Sequence, residues 1–325
     1  MEIETSARLH LSLIDLNGSE GRIDGGIGLT LKDPSLIIEC IENNTQTNVV
    51  CSDKYVMEDE YEKKIIDAYE KMKNYLGIDN TYTFNIKKIY PIHHGLGLGT
   101  QLALSTAKLV SEINDIDLDT YTQASVVGRG GTSGVGVYAF DKGGFIIDGG
   151  HKSDMKSEFL PSSASKVAPP PLIARYDFPE DWDILLITPN ISQGSSGSSE
   201  VNIFKQYTPI AKSDVESISH ITLMKLMPSI VEHDLDMLGE AISQIQNRGF
   251  KKIEKDLQSS EIHSIINYMH DNGINAAGMS SFGPTCFGIV DSNAKSLKHE
   301  ILDLMDNKAE VTITKAKNYG SKIKK

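Results

Sequence analysis

The sequence predicts an α+β protein of two domains, and three features of its 325 residues support that prediction. The first third alternates apolar and polar residues, as strands do. The last third places apolar residues at helical spacing between short strands. The middle is rich in glycine and carries turns of the kind that bind anions. A chain of this length can bury a core shared by two domains.

Three segments of the first third are predicted strands: EIETSARLHLSLIDL (2–16), PSLIIECIE (34–42) and TYTFNIKKIY (81–90). Residues 57–76 lie between the last two and place apolar side chains at helical spacing, which predicts a helix. Gly77 follows where a left-handed helix cap is common.

A run of three prolines at 169–171 interrupts regular structure, so the predicted domains span residues 1–167 and 168–325. The run QGSSGSSE (193–200) is typical of a flexible loop, and whether it acts as a lid is left open. The second domain is predicted to alternate strands with amphipathic helices. These elements are a strand at 183–188, helices around 235–245 and 262–272, a strand at 283–290, a helix around 297–304 and a strand at 310–316.

Composition limits the class of partner. The chain carries 32 Lys and Arg against 44 Asp and Glu, a formal net charge of −12, so a nucleic-acid partner is not expected. Small anionic ligands stay possible, because they need only a few local cations and backbone N–H groups. The three cysteines lack CxxC spacing, and neither a signal peptide nor a membrane-spanning run is visible. We therefore expect a cytoplasmic protein that binds no membrane.

A glycine-rich turn before a predicted helix is the strongest local signal. Gly95, Gly97 and Gly99 would let backbone N–H groups and the positive end of the helix approach an anion closely. Thr100 and Gln101 could add side-chain contacts to the same anion. The alternative is a turn that only packs tightly, since neither the Walker nor the Rossmann pattern matches.

Three segments resemble the three motifs of the GHMP kinases, in the right order. They are SARLHLSLIDLNGSEGRIDGGIGLTL near the start, the glycine turn, and GMSSFGPTCFGIV near the end. The resemblance implies a GHMP-kinase-like two-domain sandwich, with an N-terminal mixed sheet and a ferredoxin-like C-terminal domain. Kinases of this family usually carry serines after the turn. Leu98 and Gly99 stand there instead, which favours phosphate binding without phosphoryl transfer from ATP.

Longer runs are similar to the β-ribofuranosylaminobenzene 5′-phosphate synthases of archaeal methanopterin biosynthesis. These runs are 8–28, 95–104, 128–151, 168–182 and 280–285. The similarity implies that phosphoribosyl pyrophosphate reacts with 4-hydroxybenzoate or 4-aminobenzoate to give an aryl C-riboside 5′-phosphate, CO₂ and pyrophosphate. It also implies Mg²⁺, whose ligands the sequence does not identify, and a homodimer. The alternatives are an ATP-dependent small-molecule kinase and a homologue that has lost the chemistry.

The first predicted strand supplies groups suited to this reaction. Arg8, His10 and Ser12 share one face because strand side chains alternate, and Arg8 and His10 are candidate catalytic residues. Arginine suits the task since its planar fork matches a carboxylate or a phosphate with two hydrogen bonds. A solvent-facing edge strand is the alternative.

Charged residues also surround the predicted glycine-rich loop at 17–28. Asp15 and Asp24 are candidate catalytic carboxylates that could stabilise a cationic ribose, and Arg22 is a candidate substrate-binding residue. A flexible loop would place such side chains without steric limits. The alternative for both aspartates is a turn-forming role.

A second glycine-rich turn, GRGGTSGVG, carries three further candidates for phosphate binding: Arg129, Thr132 and Ser133. Arg129 is expected to reach the 5′-phosphate, and tight packing is the alternative. Asp148 and His151 close the next predicted strand. They could form an acid–base pair, contact Mg²⁺ or only shape a turn.

Overall fold

The structure is a computed structural model that describes residues 1–162, 164–191 and 198–325. It holds two β-sheets with helices packed on both. The strands are β1 (Glu2–Asp15), β2 (Arg22–Asn43), β3 (Asn48–Cys51), β4 (Thr81–Lys88), β5 (Phe145–Asp148), β6 (His151–Lys152), β7 (Leu172–Tyr176), β8 (Asp183–Pro189), β9 (Ala277–Met279), β10 (Cys286–Val290), β11 (Ala309–Thr314) and β12 (Lys322–Lys324).

The helices lie mostly in the second half of the chain. They are α1 (Asp59–Leu76), α2 (Leu98–Ile113), α3 (Thr120–Val127), α4 (Val135–Asp141), α5 (Ser198–Tyr207), α6 (Lys212–Ile221), α7 (Met227–Glu232), α8 (Leu235–Gln246), α9 (Gly249–Asp256), α10 (Ser260–Asp271) and α11 (Ala294–Leu304). A π-helical stretch, Thr222–Leu226, joins α6 to α7. Among the helices of the described ranges, none has the length and apolar character needed to cross a membrane.

The larger sheet runs β12–β1–β2–β4–β3, with β5 and β6 paired to β2 and β7 paired to β5. Its longest ladder is antiparallel and extends from Glu2 opposite Glu39 to Asp15 opposite Asp24. Helix α2 packs on β1 and β2, and α1 packs on α2. Tyr69 of α1 closes this core against Tyr82 of β4, with the ring centroids 5.9 Å apart. The apolar spacing that predicted these elements therefore becomes the buried face between them.

The smaller sheet is antiparallel in the order β11–β8–β10–β9, and α10 and α11 pack against it. Most elements predicted from the sequence are confirmed, including α1, whose C-cap Gly77 has a φ of 66°. Residues 193–197 of the predicted flexible loop lie outside the described residues. The remaining three, 198–200, begin α5, so for them the loop prediction is wrong.

Strand β7 lies beyond the domain boundary predicted between residues 167 and 168, yet it pairs with β5 of the first sheet. The C-terminal strand β12 likewise pairs with β1. The antiparallel ladders carry the first sheet past the prolines and draw the end of the chain back to it.

The glycine-rich loop predicted at 17–28 is wrong for its second half, because β2 begins at Arg22. The glycines there make room for close packing. A Cβ on Gly28 would lie 2.3 Å from Cγ1 of Val135 in α4 and 2.5 Å from the carbonyl oxygen of Leu9. A close approach of helix to sheet therefore requires glycine at this position.

We predict that Gly28→Ala lowers the free energy of unfolding by about 2–3 kcal/mol, because backbone and helix must shift to admit the methyl group. Urea unfolding measures this. Gly77→Ala is the matched control, since no atom of the described residues lies within 4 Å of the Cβ it would add and only the left-handed backbone is strained. That control should cost about 1 kcal/mol. A loss at Gly28 no larger than the loss at Gly77 would contradict the packing account.

Candidate active site

Two cavities flank the glycine turn that precedes α2. The larger has a volume of about 600 Å³, and His94 and Leu96 of the turn contribute to its wall. The smaller has a volume of about 190 Å³, and Thr100 contributes to its wall. The turn therefore separates the two cavities.

The smaller cavity gathers residues from distant parts of the sequence. Five of the predicted site residues line it: Arg8 and His10 of β1, Thr100 of α2, and Thr132 and Ser133 of the second glycine-rich turn. The C-terminal domain closes the other side, through α5, α9 and the loop before β10. The fold thus brings three separate predicted candidate segments into one site.

Arg8 holds the glycine turn against the C-terminal domain. Its Nη1 donates a hydrogen bond of 2.5 Å to the carbonyl oxygen of Gly95. The hydroxyl of Ser280 donates to the same oxygen at 2.7 Å and accepts from the backbone N–H of His10 at 3.0 Å. One carbonyl group therefore joins the first strand, the turn and the loop that follows β9.

Close contacts explain why glycine occupies positions 95 and 97 of the turn. Gly95 has a φ of 74°, and a Cβ there would lie 2.2 Å from the carbonyl oxygen of Ser280. Gly97 is the N-cap of α2 with a φ of 83°, and a Cβ there would lie 3.1 Å from Cζ of Arg8. The turn is open at Gly97 so that the guanidinium can pack beside the start of the helix.

The N-terminus of α2 offers free donors. Within the described ranges, no residue accepts a hydrogen bond from the backbone N–H groups of Leu98 and Gly99. A Cβ on Gly99 would lie 3.3 Å from Cε of Lys64 and 3.6 Å from its Nζ. Lys64 is not among the residues predicted from the sequence, and it forms an ion pair of 3.0 Å with Glu60 one turn earlier on α1. The helix end and this ammonium group together suit an anion.

Gln101 does not reach the cavity, and its predicted contact with an anion is wrong. The side chain is fully buried, accepts a hydrogen bond from the hydroxyl of Thr5 and donates one of 3.0 Å to the carbonyl oxygen of Gly136. Its two ends tie α2 to β1 and to α4, because a buried amide must satisfy both its donor and its acceptor.

Arg8 and His10 differ in charge state. Burial lowers the pKa of Arg8 to about 10, which leaves it protonated at neutral pH. Burial lowers the pKa of His10 well below its usual value, and the charges of Arg8 and Lys251 lower it further, so the imidazole is neutral. Nε of Arg8 and Nδ1 of His10 are buried without a partner in the described part of the chain. Both groups therefore have unused hydrogen-bonding capacity beside the cavity.

The alternation predicted for β1 fails after His10. The β1–β2 ladder has register shifts between Ser6 and Arg8 and between His10 and Ser12. Ser12 is consequently turned away and donates to the carbonyl oxygen of Leu13 at 2.6 Å, whereas Leu13 lines the cavity. A bulge of this kind leaves no clear signal in a single sequence.

Two carboxylates that the sequence analysis missed line the same cavity, Glu200 of α5 and Glu254 of α9. Glu254 is buried and forms an ion pair of 2.5 Å with Lys251. Burial and, to a lesser extent, the negative charge of Glu254 together raise the pKa of Glu200 to about 7. Lys251 and Glu254 lie on the buried face of α9 together with Phe250, and charged residues at such apolar spacing are the sequence signal that could have identified Glu254.

Asp15 and Arg22 lie apart from the cavity. Oδ1 of Asp15 accepts from the backbone N–H groups of Asn17 at 2.8 Å and Gly18 at 2.9 Å, which is the turn-forming alternative. Arg22 donates from Nε to the carbonyl oxygen of Gly149 and from Nη2 to that of Gly150, both at 2.8 Å. A catalytic role of Asp15 and substrate binding by Arg22 stay predictions without a supporting contact.

Asp24 reaches the cavity only through other residues. Its Oδ2 accepts from Nζ of Lys156 at 2.9 Å and lies 2.7 Å from Nδ1 of His151. Lys156 in turn donates to the carbonyl oxygen of Gly131 at 2.8 Å and to Oγ1 of Thr132 at 3.2 Å. The contacts of Asp24 are therefore those of a residue that positions the cavity wall.

Asp148 supports the neighbouring part of that wall. It accepts from the hydroxyl of Ser133 at 3.0 Å and from the backbone N–H groups of Gly134 at 2.7 Å and Gly150 at 3.0 Å. Burial raises its pKa to about 6. Arg129, near the start of the second glycine-rich turn, is not among the residues that line the smaller cavity. The carboxylates of Asp67 and Glu60 favour its charge, while burial lowers its pKa.

Comparison with known proteins agrees with this fold. The GHMP kinases N terminal domain matches residues 63–144, and the GHMP kinases C terminal domain matches residues 226–307. Homoserine kinase from Cytophaga hutchinsonii superposes with a TM-score of 0.71 at 12% identity, covering 99% of this chain and 96% of that one. Mevalonate kinase from Methanococcus jannaschii superposes with a TM-score of 0.69 at 13% sequence identity, covering 98% of each chain. The chain is a protein of the GHMP kinase fold, which confirms the predicted fold class.

Closer relatives match nearly the whole length of the chain. The β-ribofuranosylphenol 5′-phosphate synthase of Methanothermobacter thermautotrophicus is 44% identical, covering 98% of this chain and 97% of the relative. The protein of the same name in Methanocaldococcus jannaschii is 44% identical, covering 99% of this chain and 100% of the relative. The one in Archaeoglobus fulgidus is 40% identical, covering 99% of each chain. The chain belongs to this family of synthases and is an enzyme, and the glycosyltransferase type fits it.

We predict that Asp24→Asn lowers the free energy of unfolding by about 3 kcal/mol or more, because it leaves the buried ammonium of Lys156 without its counter-ion. Chemical denaturation measures the loss. Asp306→Asn is a matched control, since it removes an exposed pair with Lys308 at 3.8 Å. That control should cost at most about 1 kcal/mol. Equal, small losses in the two variants would contradict the positioning role.

Proposed function

We propose that the chain is a decarboxylating phosphoribosyltransferase of methanopterin biosynthesis. It would join phosphoribosyl pyrophosphate to 4-hydroxybenzoate and release an aryl C-riboside 5′-phosphate, CO₂ and pyrophosphate. The names of the relatives describe a ribosylated phenol with a 5′-phosphate. A phenol product favours 4-hydroxybenzoate over 4-aminobenzoate as the acceptor. The observation that carries the proposal is the smaller cavity, where Arg8 and the start of α2 meet aromatic and acidic residues.

The start of α2 is the proposed place for the departing pyrophosphate. The free N–H groups of Leu98 and Gly99 and the ammonium of Lys64 all lie there. Arg8 packs beside Gly97, and its Nε has no partner in the described ranges, so it can bind the same anion. Fixed donors of this kind stabilise the charge that develops as the bond to ribose breaks, without reorganisation.

The opposite wall of the cavity is the proposed place for the aromatic acceptor. Phe204 and Phe282 line it, with their ring centroids 6.5 Å apart. A benzoate ring stacked there would bury its faces against apolar groups. Its ring carbon would then stand between this wall and the anion site, where the anomeric carbon of ribose must lie for attack.

Mg²⁺ is the proposed cofactor, and the residues present fit a metal held mainly by the substrate. In the described ranges, no three or more His, Cys, Asp or Glu residues are grouped as metal ligands. Mg²⁺ commonly needs only one or two protein oxygens beside substrate phosphates. The Thr100 hydroxyl, at the cavity wall near the start of α2, is the oxygen that would hold it. Bound there, the ion would neutralise the leaving pyrophosphate. The homodimer and the cytoplasmic location stay predictions from the resemblance and the sequence.

One observation favours the second candidate, an ATP-dependent kinase. The larger cavity beside the glycine turn is lined by Tyr55, Tyr61 and Tyr90, and aromatic walls of this kind can accept a nucleobase. Thermal unfolding with each ligand distinguishes the two functions. A ligand at 100 times its Kd stabilises by about 2.7 kcal/mol. We expect this shift with phosphoribosyl pyrophosphate and Mg²⁺. A shift with ATP and Mg²⁺ alone would support the kinase.

We predict that the purified protein releases labelled CO₂ from carboxyl-labelled 4-hydroxybenzoate only when phosphoribosyl pyrophosphate and Mg²⁺ are both present. CO₂ and pyrophosphate should form in equal amounts, because one ring attack expels one pyrophosphate and one carboxyl group. Scintillation counting and an enzymatic pyrophosphate assay measure the two products. Pyrophosphate without CO₂ would contradict the decarboxylating reaction. If neither product formed, the chain would be a homologue that has lost the chemistry.

We also predict that Arg8→Lys lowers kcat/KM for phosphoribosyl pyrophosphate by about ten- to a hundredfold, the worth of charged hydrogen bonds. Lysine keeps the positive charge but loses the planar fork that contacts both the turn and the anion. Steady-state kinetics measure the change. Arg248→Lys serves as the control, because Arg248 donates to the carbonyl oxygen of Gln244 away from the cavity. Equal kinetics in the two variants would remove Arg8 from the anion site.

A further inference from the structure

Glu200 differs from every other charged group on the wall of the smaller cavity. It lies in the first turn of α5 and is partly buried. No residue in the described ranges forms a hydrogen bond or an ion pair with its carboxylate, and Glu254 is the only charge that perturbs it. Glu254, by contrast, is neutralised by Lys251 at 2.5 Å. Even a partly buried carboxylate without a hydrogen-bond partner is destabilising unless a ligand or a proton satisfies it.

The position of Glu200 relative to the aromatic wall indicates which ligand group it meets. Phe204 lies four residues later on α5, so the two side chains share one face of the helix. Both line the cavity together with Phe282. A ring stacked on these phenylalanines would direct one of its edge substituents toward Glu200.

We propose that Glu200 is a catalytic residue that accepts the phenolic proton of the acceptor during ring attack and returns it after CO₂ leaves. This inference rests on the function proposed above and assigns the proton transfer within it. Neither the sequence pattern nor the relatives identify a residue for that transfer.

The step balances without an oxidant or a reductant. As the O–H bond breaks, an electron pair moves from oxygen into the ring, and the ring carbon that bears the carboxylate bonds to the anomeric carbon. The bond between the anomeric carbon and pyrophosphate breaks at the same time. The bond between the ring carbon and the carboxylate then breaks, and CO₂ leaves. The electron pair of that bond restores the aromatic ring. The phenolate regains the proton from Glu200.

The other titratable groups at the cavity are poorly suited to hold this proton. Arg8 of β1 stays protonated at neutral pH, because its pKa is about 10. Burial lowers the pKa of His10 of β1 well below its usual value, and the charges of Arg8 and of Lys251 of α9 lower it further, so its imidazole is a weak base. Glu254 of α9 is already paired with Lys251. Burial instead raises the pKa of Glu200 to about 7, closer to that of a phenol, which is about 10. Proton transfer is most efficient when the two pKa values approach each other and the working pH.

The test compares Glu200→Gln with wild type on two acceptors. These are 4-hydroxybenzoate and 3,5-difluoro-4-hydroxybenzoate, whose hydroxyl is much more acidic and ionises in neutral solution. With 4-hydroxybenzoate the variant should lose about a hundredfold or more in kcat, the usual worth of general base catalysis. With the difluoro acceptor it should lose less than about threefold relative to wild type, because no proton needs to be accepted. Urea unfolding confirms that the variant is folded.

The pH profile supplies a second measurement. The wild-type kcat with 4-hydroxybenzoate should fall as the pH drops below about 7, because protonated Glu200 cannot accept a proton. This fall should be absent in Glu200→Gln and present in the control Glu216→Gln, whose side chain is mostly exposed on α6.

The outcomes separate the two claims. If wild type released no CO₂ from either acceptor, the proposed function would fail, and this inference with it. If wild type were active but Glu200→Gln lost the same factor on both acceptors, or lost nothing, the proton transfer would be overturned and the proposed function would stand. Loss confined to 4-hydroxybenzoate supports the assignment.

Discussion

The site depends on the contact between the Arg8 guanidinium and the carbonyl oxygen of Gly95. A buried cation is costly unless fixed acceptors surround it, and here the glycine turn supplies one. Because Ser280 donates to the same oxygen, the contact also locks the C-terminal domain onto the first strand. The start of α2, the cavity and the anion donors are therefore held in one arrangement before any ligand binds, as efficient electrostatic stabilisation requires.

The wall of the cavity is supported by a second set of buried charges. Asp24, through Lys156, fixes the turn that carries Thr132, and Asp148 fixes Ser133. The sequence made Asp24 a candidate because a carboxylate can stabilise a cationic ribose, and it made Asp148 a candidate for an acid–base pair, a Mg²⁺ contact or a turn. Both aspartates contact protein atoms, and those contacts orient Lys156 and Ser133 at the cavity wall. Glu200 differs, since it reaches the cavity and has no hydrogen-bond or ion-pair partner among the residues that the structure describes.

Local patterns predicted much of the fold and part of the site. Strand β1, the helical spacing in α1 and the cap at Gly77 depend on neighbouring residues, and all three are confirmed, although the alternation within β1 fails after His10. Arg8 and His10 were predicted to share one face of this strand, and both line the smaller cavity, while their catalytic role stays a prediction. The bulge after His10 depends on pairing with β2, and it turned Leu13 into the cavity. Glu200 and Lys64 become neighbours of the site only through tertiary packing, so a single sequence gave no reason to single them out.

The central claim is that pyrophosphate leaves ribose at the start of α2. A crystal structure with phosphoribosyl pyrophosphate and Mg²⁺, but without an acceptor, tests it most directly. The account predicts pyrophosphate oxygens within hydrogen-bonding distance of the backbone N–H groups of Leu98 and Gly99 and of the Arg8 guanidinium. A donor bound with its pyrophosphate elsewhere, leaving those groups without a ligand, would contradict it.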